Sequence, residues 1–384
     1  MPQKHKFFDY ALIVTFLFSI FIPLMLTHNQ TQSIIEQRTL ALYPDWNKTS
    51  LKVFPEKFQI WFNDHFGFRD HLAQMYYLFG LWLGTSLSPR VIIGKDQWLF
   101  YIDPKGGNSL EDYRKNDGLT PQQLRQWKTV LEERYWWLKH QGIGYVFVIA
   151  PDKHSIYGEY FSDRINIVGT QTRLDQFIEY MKNSVVPIVD LRPALIKAKT
   201  EGQVYYKNDT HWNDFGAAIA QYEIINYLTK TYPNLHPIKY KASDFSWHDP
   251  GAGGIAKMLN LTNYLQDKSA PKLKHPLLQC EKQTLEKNTN KGKPDKVFVT
   301  YCDVSAPSIL VFRDSFFEWL YPYTSQYFSK SVYVWTHPDH KQLTQLVKQY
   351  IPNIVIEELV ERHLKYAPKL STKIKAIARK KLIQ

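Results

Sequence analysis

From residue 145 onward the apolar positions cluster in short continuous runs: Tyr145–Ala150, Val185–Val189, Ile309–Phe312, Val332–Trp335 and Ile354–Ile356. Helical patterns separate most of them, over Arg173–Lys182, Asp214–Lys230, Phe316–Phe328 and Lys341–Tyr350. Strands that do not alternate in polarity are buried on both faces, and strands separated by helices pair in parallel. The pattern therefore predicts an α/β fold, a parallel sheet with helices on both faces. Ligands of such sheets bind beyond the carboxyl ends of the strands. Asp314 and Ser315 follow the 309–312 run directly, so they are expected at that rim, as are Asp152, Lys153 and His154 after the 145–150 run.

Upstream the periodicity changes. Aromatic-rich helical segments between residues 55 and 84 surround a turn-like Asn63–Asp70. Val91–Tyr101 reads as two short strands joined at Gly94-Lys-Asp. Thr120-Pro-Gln-Gln123 has the form of a capping box with proline at the first helical position, opening a helix to about His140 ahead of Gly142.

At the N-terminus an apolar run extends from Phe7 to Leu26, interrupted only by the charge of Asp9. Its length approaches that of a bilayer-crossing helix. Lys4 and Lys6 precede it and no Lys or Arg follows until Arg38, which predicts a cytoplasmic N-terminus. No Ala-x-Ala-like site follows Leu26, which favours an uncleaved anchor over a cleaved signal peptide. Either reading exports the remaining chain. The expected division is a membrane anchor over 1–30, a catalytic domain over 31–365 and a basic tail over 366–384.

The net charge of +12 resembles a nucleic-acid signal until it is located. Residues 362–384 carry eight Lys and Arg and no Asp or Glu. Leu370, Ile374, Ile377 and Lys381 share a helical stripe there, which fits an anionic membrane surface or a partner as well as a solvated tail. No further evidence for nucleic acid remains. The only two cysteines, Cys280 and Cys302, bracket the hydrophilic stretch Glu281–Lys296. In an oxidising compartment they are expected to pair; in a reducing one they would be ordinary thiols.

The chemistry concentrates in Val204–Gly216, where Asp209 and His211 stand two apart on an expected loop. Asn213 is placed to cap the helix that follows. A carboxylate beside an imidazole fixes its tautomer and stabilises the imidazolium, as a general base requires. Ser315 is the best candidate for the missing nucleophile. The alternatives are a pair of satisfied polar residues in a turn, or a metal site from Asp209, His211, His248 and Asp249. The spacing of those four is irregular, and no Zn-type Cys/His motif, phosphate-binding glycine loop or repeat is visible. No cofactor and no metal is assigned.

Asn63–Asp70, Val91–Tyr101, Ala150–Tyr157, Tyr205–Trp212, Asp314-Ser-Phe316 and Glu357–Leu364 together resemble the alginate O-acetyltransferase family (AlgJ/AlgX-like), with Asp-Thr-His-Trp the most specific part. The resemblance implies an SGNH-hydrolase-like domain with the order of its catalytic motifs permuted, Asp and His preceding Ser. It implies Ser315 as nucleophile, His211 as base and Asp209 as the group that orients it. The backbone N–H groups of Ser315 and Phe316, together with Arg313, Lys153, Gly253 and Gly254, are the candidates for the oxyanion hole and substrate contacts. Two departures bear on them. Arg313 stands where a glycine usually precedes Asp-Ser, and no Asp follows the Gly253-Gly254 pair. The implied function is transfer of acetyl groups, through an acetyl-serine, to hydroxyls of an exported polysaccharide. A multi-spanning membrane acyltransferase would supply the acetyl group, and the setting would be the periplasmic face of a bacterial inner membrane. A periplasmic acetylesterase and a non-catalytic polysaccharide-binding scaffold are the rival readings.

Overall fold

The computed structural model describes residues 3–28, 30–33, 38–287 and 295–370. The chain divides into two compact units, residues 1–88 with 254–266, and residues 89–253 with 267–384. The basic stripe beyond Leu370 lies outside the described residues.

In the smaller unit, the helices Phe54–His65 and Arg69–Trp82 flank the turn at Phe66–Phe68. Pro55 at the start of the first helix supplies a φ suited to the opening turn. Trp46 stacks on Phe54 at 3.7 Å, continuing an aromatic row through Phe58 and Trp61. Gln74 Nε2 donates to Asn260 O (2.8 Å) and Asn260 Nδ2 to Asp70 O (3.1 Å), holding the later segment to the same unit.

The N-terminal run is helical over Gln3–Met25. Among the described residues, however, no helix is long and apolar enough to cross a membrane. Asp9 lies near one end of the apolar stretch, and Pro23, inside the helix, removes a backbone hydrogen bond near the other. The bilayer-crossing expectation is thus not confirmed; the helix presents exposed apolar side chains such as Phe8, Leu12, Phe16 and Ile20.

The larger unit is built on a seven-stranded sheet. Numbered in chain order, its strands are β1 (Gly144–Ala150), β2 (Ile188–Asp190), β3 (Glu281–Glu286), β4 (Val297–Tyr301), β5 (Ser308–Arg313), β6 (Lys330–Trp335) and β7 (Ile354–Val360). Their spatial order is β2-β1-β7-β5-β6-β4-β3. The first five in that order are mutually parallel. β4 and β3 add an antiparallel edge, so the sheet is mixed rather than wholly parallel. Every β3 residue is exposed and the strand reads Glu-Lys-Gln-Thr-Leu-Glu, so it carries no apolar run by which to recognise it. Cys280 and Cys302 are joined in a disulfide across the open end of this hairpin, their Cα atoms 4.6 Å apart.

Strand pleating divides the core into two layers. Val146, Val148, Val311 and Ile356 pack with Ala217, Ile224, Phe317 and Leu320 on one face. Phe147, Ile149, Leu310 and Val355 pack with Leu131, Phe177, Leu343 and Val347 on the other. The helices Asp214–Leu228 and Phe317–Ser325 thus cover the first face, and Pro121–Lys139, Arg173–Met181 and His340–Tyr350 the second. β7 continues past Ile356 because its two carboxylates are accommodated inside the fold. Glu357 accepts from Tyr145 Oη at 2.7 Å and pairs with the buried Arg134, while Glu358 is fully buried.

Candidate active site

Around the Asp-Thr-His-Trp motif the backbone folds back on itself. Tyr205 and Trp212 form an antiparallel bridge, Tyr206 N donates to His211 O (3.2 Å), and Asn213 N donates to Val204 O (3.0 Å). The side chain of Asn213 then accepts from Gly216 N at 3.1 Å, capping the helix Asp214–Leu228. Gly216 permits this close return, since a Cβ there would lie 2.2 Å from Val204 O. The loop is therefore closed by backbone bonds on one side and by a helix cap on the other.

Its tip meets the end of β5. His211 Nδ1 lies 2.6 Å from Asp209 Oδ1, and His211 Nε2 lies 2.8 Å from Ser315 Oγ. Asp209 Oδ1 also accepts from the His211 backbone N–H at 3.1 Å, which fixes the carboxylate beside its own imidazole. The His211 ring packs edge-on against Phe316 with centroids 4.9 Å apart. Carboxylate, imidazole and hydroxyl thus form one hydrogen-bonded line, the arrangement in which an imidazole can withdraw a serine proton.

The other candidates are engaged elsewhere. Lys153 is buried, and its Nζ donates to Tyr206 O (2.9 Å), Lys207 O (2.9 Å) and Asp209 O. Three carbonyls of the loop thus share its side-chain nitrogen. Burial, outweighing the charges of Asp209 and Asp267, pulls its pKa down to about 7. Arg313 is also buried: it pairs with Glu318 at 3.0 Å, donates to Asp295 O at 3.0 Å, and lies over the Trp335 ring at 4.8 Å. It is not available to an anionic sugar.

Phe316 N–H donates to Asp314 Oδ1 at 2.8 Å and Gly253 N–H to Asn208 Oδ1 at 2.9 Å, so neither points freely at an oxyanion. Gly254 opens the short helix Gly254–Met258 of the other unit. Of the backbone donors considered, the Ser315 N–H is left. The alternative metal set is not assembled: His248 Nδ1 faces Ala270 O at 2.9 Å and Asp249 accepts from Gly251 N.

Beneath Ser315 lies a set of charges that pattern reading did not assign. Asp314 accepts at its second oxygen from Val360 N (2.8 Å), and its own N–H donates to Glu358 Oε2 (3.0 Å). Burial, then the Asp314 charge, pushes the Glu358 carboxyl well above its usual range. Asp152 pairs with Arg362, whose guanidinium lies over the Phe316 ring at 5.6 Å. The signal for these was present in the resemblance to Ala150–Tyr157 and Glu357–Leu364, which marked the stretches without naming their roles. A cavity of about 420 Å³ is lined by Asp214 from the helix after His211, by Glu318, Trp319 and Tyr323 from the helix after Ser315, and by Lys272 and His275.

Residues 91–350 match the family described as SGNH hydrolase-like domain, acetyltransferase AlgX. The chain belongs to that family. It is 29% identical over 132 residues to the probable alginate O-acetylase AlgJ of Pseudomonas putida, covering 34% of this chain and 32% of that protein. With the probable alginate O-acetylase AlgJ of Pseudomonas fluorescens it is 27% identical over 187 residues, or 48% and 45% of the two chains. The chain thus spans between about a third and a half of these curated relatives. Among solved structures, Bacillus cereus PatB1 with a sulfonyl adduct superposes with a TM-score of 0.51 at 16% identity, over 73% of this chain and all of that one. That likeness concerns the fold. Family membership carries an SGNH hydrolase-like, acetyltransferase-type domain.

Proposed function

We propose that the protein is an O-acetyltransferase acting on a polysaccharide through an acetyl-Ser315 intermediate. The observation that carries this reading is the continuous line Asp209–His211–Ser315 at the carboxyl end of β5. Ser315 Oγ attacks the carbonyl of an acetyl donor while His211 Nε2 takes its proton and passes it to the leaving group. A sugar hydroxyl then gives its proton to His211 and attacks the acetyl ester, and Ser315 recovers a proton as the product leaves. Asp209 holds the imidazole in the tautomer with the proton on Nδ1 and stabilises the imidazolium. The Ser315 N–H is the proposed donor to the oxyanion.

The names of the relatives support a polysaccharide acceptor, with alginate as the reference polymer. The cavity beside Trp319 and Tyr323 is the proposed acceptor groove, because aromatic faces and a few polar groups suit a sugar chain. The acetyl group is proposed to come from a multi-spanning membrane partner, with this chain on the periplasmic side. The exposed apolar helix Gln3–Met25 is the proposed membrane attachment, since an apolar helix surface is stable only against lipid or protein. A reporter fused after Gln384 should be active only when exported; cytoplasmic activity contradicts that topology.

The functional test is the acetate content of the polymer from cells in which Ser315→Ala replaces the native chain. Loss of acetylation with normal polymer yield is expected. Unchanged acetylation would favour a scaffold role, and higher acetylation a periplasmic esterase.

A further inference from the structure

The strand ends that present Ser315 also bring together a second set of side chains. Asp314 follows β5, His337 lies just past β6 and His363 just past β7. β5 is hydrogen-bonded to both β6 and β7, so the sheet itself fixes this meeting. One ligand atom from each of the three residues lies within 4.8 Å of the others.

Their existing bonds leave room for a further partner. Each Asp314 oxygen accepts one backbone N–H, from Phe316 and from Val360, and a carboxylate oxygen has a second lone pair. The two imidazoles stand edge to face, 5.8 Å between centroids, and among the described residues neither has a hydrogen-bond partner. His337 is exposed and His363 half-buried above the buried carboxylate, so the group is open on one side.

We propose that Asp314, His337 and His363 form a binding site for a divalent transition-metal ion of the zinc class, beside the Asp209–His211–Ser315 line and separate from it. Two imidazoles and one carboxylate suit Zn²⁺, Co²⁺ or Ni²⁺, whereas Mg²⁺ and Ca²⁺ take oxygen ligands. Zinc bonds of about 2.0–2.2 Å place neighbouring ligand atoms roughly 3–4 Å apart. Small rotations of the two histidines, one at the surface, close the remaining gap. An ion there would also tie together the ends of β5, β6 and β7.

A second cluster, Asp112, His154 and Glu361, meets the same distance criterion but is already occupied by other bonds. Arg173 Nε lies 3.1 Å from Asp112, and Glu361 accepts from Ser155 Oγ and Asp152 N at 2.8 Å each. A buried guanidinium supplies the positive charge there.

The test uses the purified full-length chain, stripped with a chelator. It is titrated with Zn²⁺ by calorimetry and with Co²⁺ by visible absorption. One equivalent should bind saturably. His337→Gln and His363→Gln should each weaken Zn²⁺ binding at least about tenfold, and the double variant should abolish it, while His154→Gln leaves it unchanged. Thermal melts establish that the variants are folded, and the exposed position of His337 makes its variant the safer of the two. Absence of saturable binding to the native chain overturns the proposal. So does binding that survives in the folded double variant or in folded His337→Gln at native affinity.

Discussion

The Nζ of Lys153 donates to the backbone carbonyl of Asp209, the residue whose carboxylate faces His211 Nδ1. Two more carbonyls of the same loop, those of Tyr206 and Lys207, share that ammonium. A lysine just past β1 therefore sets the height of the loop that carries the His-Asp pair. Lys153→Met should lower kcat on the order of 10²-fold through misplacement of His211. KM for an activated acetyl ester should change little, because Lys153 is buried and its Nζ is taken up by the loop carbonyls. A selective rise in KM with kcat intact would show substrate contact instead.

The same residue makes a prediction about pH. In the unfolded chain a lysine titrates near about 10.4, whereas burial brings folded Lys153 down to about 7. Between those values the unfolded state holds a proton that the folded state has released. Stability from this group therefore rises with pH across that window and is flat below it. Unfolding titrations from pH 6 to 10 (roughly the window set by those two values) should give the native chain a more positive slope than Lys153→Met. Equal slopes would contradict the assignment.

Arg313 is predicted to act on stability rather than on substrate. Its guanidinium is buried against Glu318, Asp295 O and the Phe298 and Trp335 rings. Arg313→Ala leaves Glu318 without its cation and a hole between the rings, at a cost of about 3 kcal/mol. Denaturant unfolding measures this directly. A variant of native stability with weakened binding of an anionic polymer would restore the role expected from the sequence.

The Cys280–Cys302 bond closes the β3–β4 hairpin, with 22 residues of sequence separation. A loop of that length corresponds to about 3 kcal/mol in the chain-entropy picture. Cys280→Ser with Cys302→Ser should lower the unfolding midpoint, and reductant should have the same effect on the native chain and none on the variant. Insensitivity of the native chain to reductant would show that the edge hairpin unfolds independently of the rest.

Much of this architecture was legible because the parallel strands are buried on both faces, so each appears as an uninterrupted apolar run. The placement of Ser315 followed from the run Ile309–Phe312, and that of His211 from the cap at Asn213. β3 escaped because an exposed edge strand has no apolar pattern, and β7 was cut short because Glu357 and Glu358 look like a strand end until Arg134, Tyr145 and Asp314 are seen beside them. Lys153 and Arg313 were candidate substrate contacts, Lys153 by its place at the expected rim and Arg313 by its place before Asp-Ser. Their burial depends on loop carbonyls and rings distant in sequence. The engagement of the Phe316 and Gly253 N–H groups is likewise not legible in the sequence, since Asp314 and Asn208 are brought to them only by the folded loops.

The central claim is that acetate passes through Ser315. The most direct measurement is peptide mass spectrometry of the purified chain after brief exposure to an activated acetyl ester, quenched in acid. The account predicts an acetyl group on the peptide containing Ser315. It should be absent in Ser315→Ala and reduced about 10³-fold in formation rate in His211→Ala. Addition of an oligosaccharide acceptor should discharge the native adduct faster than water does. An acetyl group that forms equally in Ser315→Ala, or that never forms on a chain able to acetylate the acceptor, would contradict it.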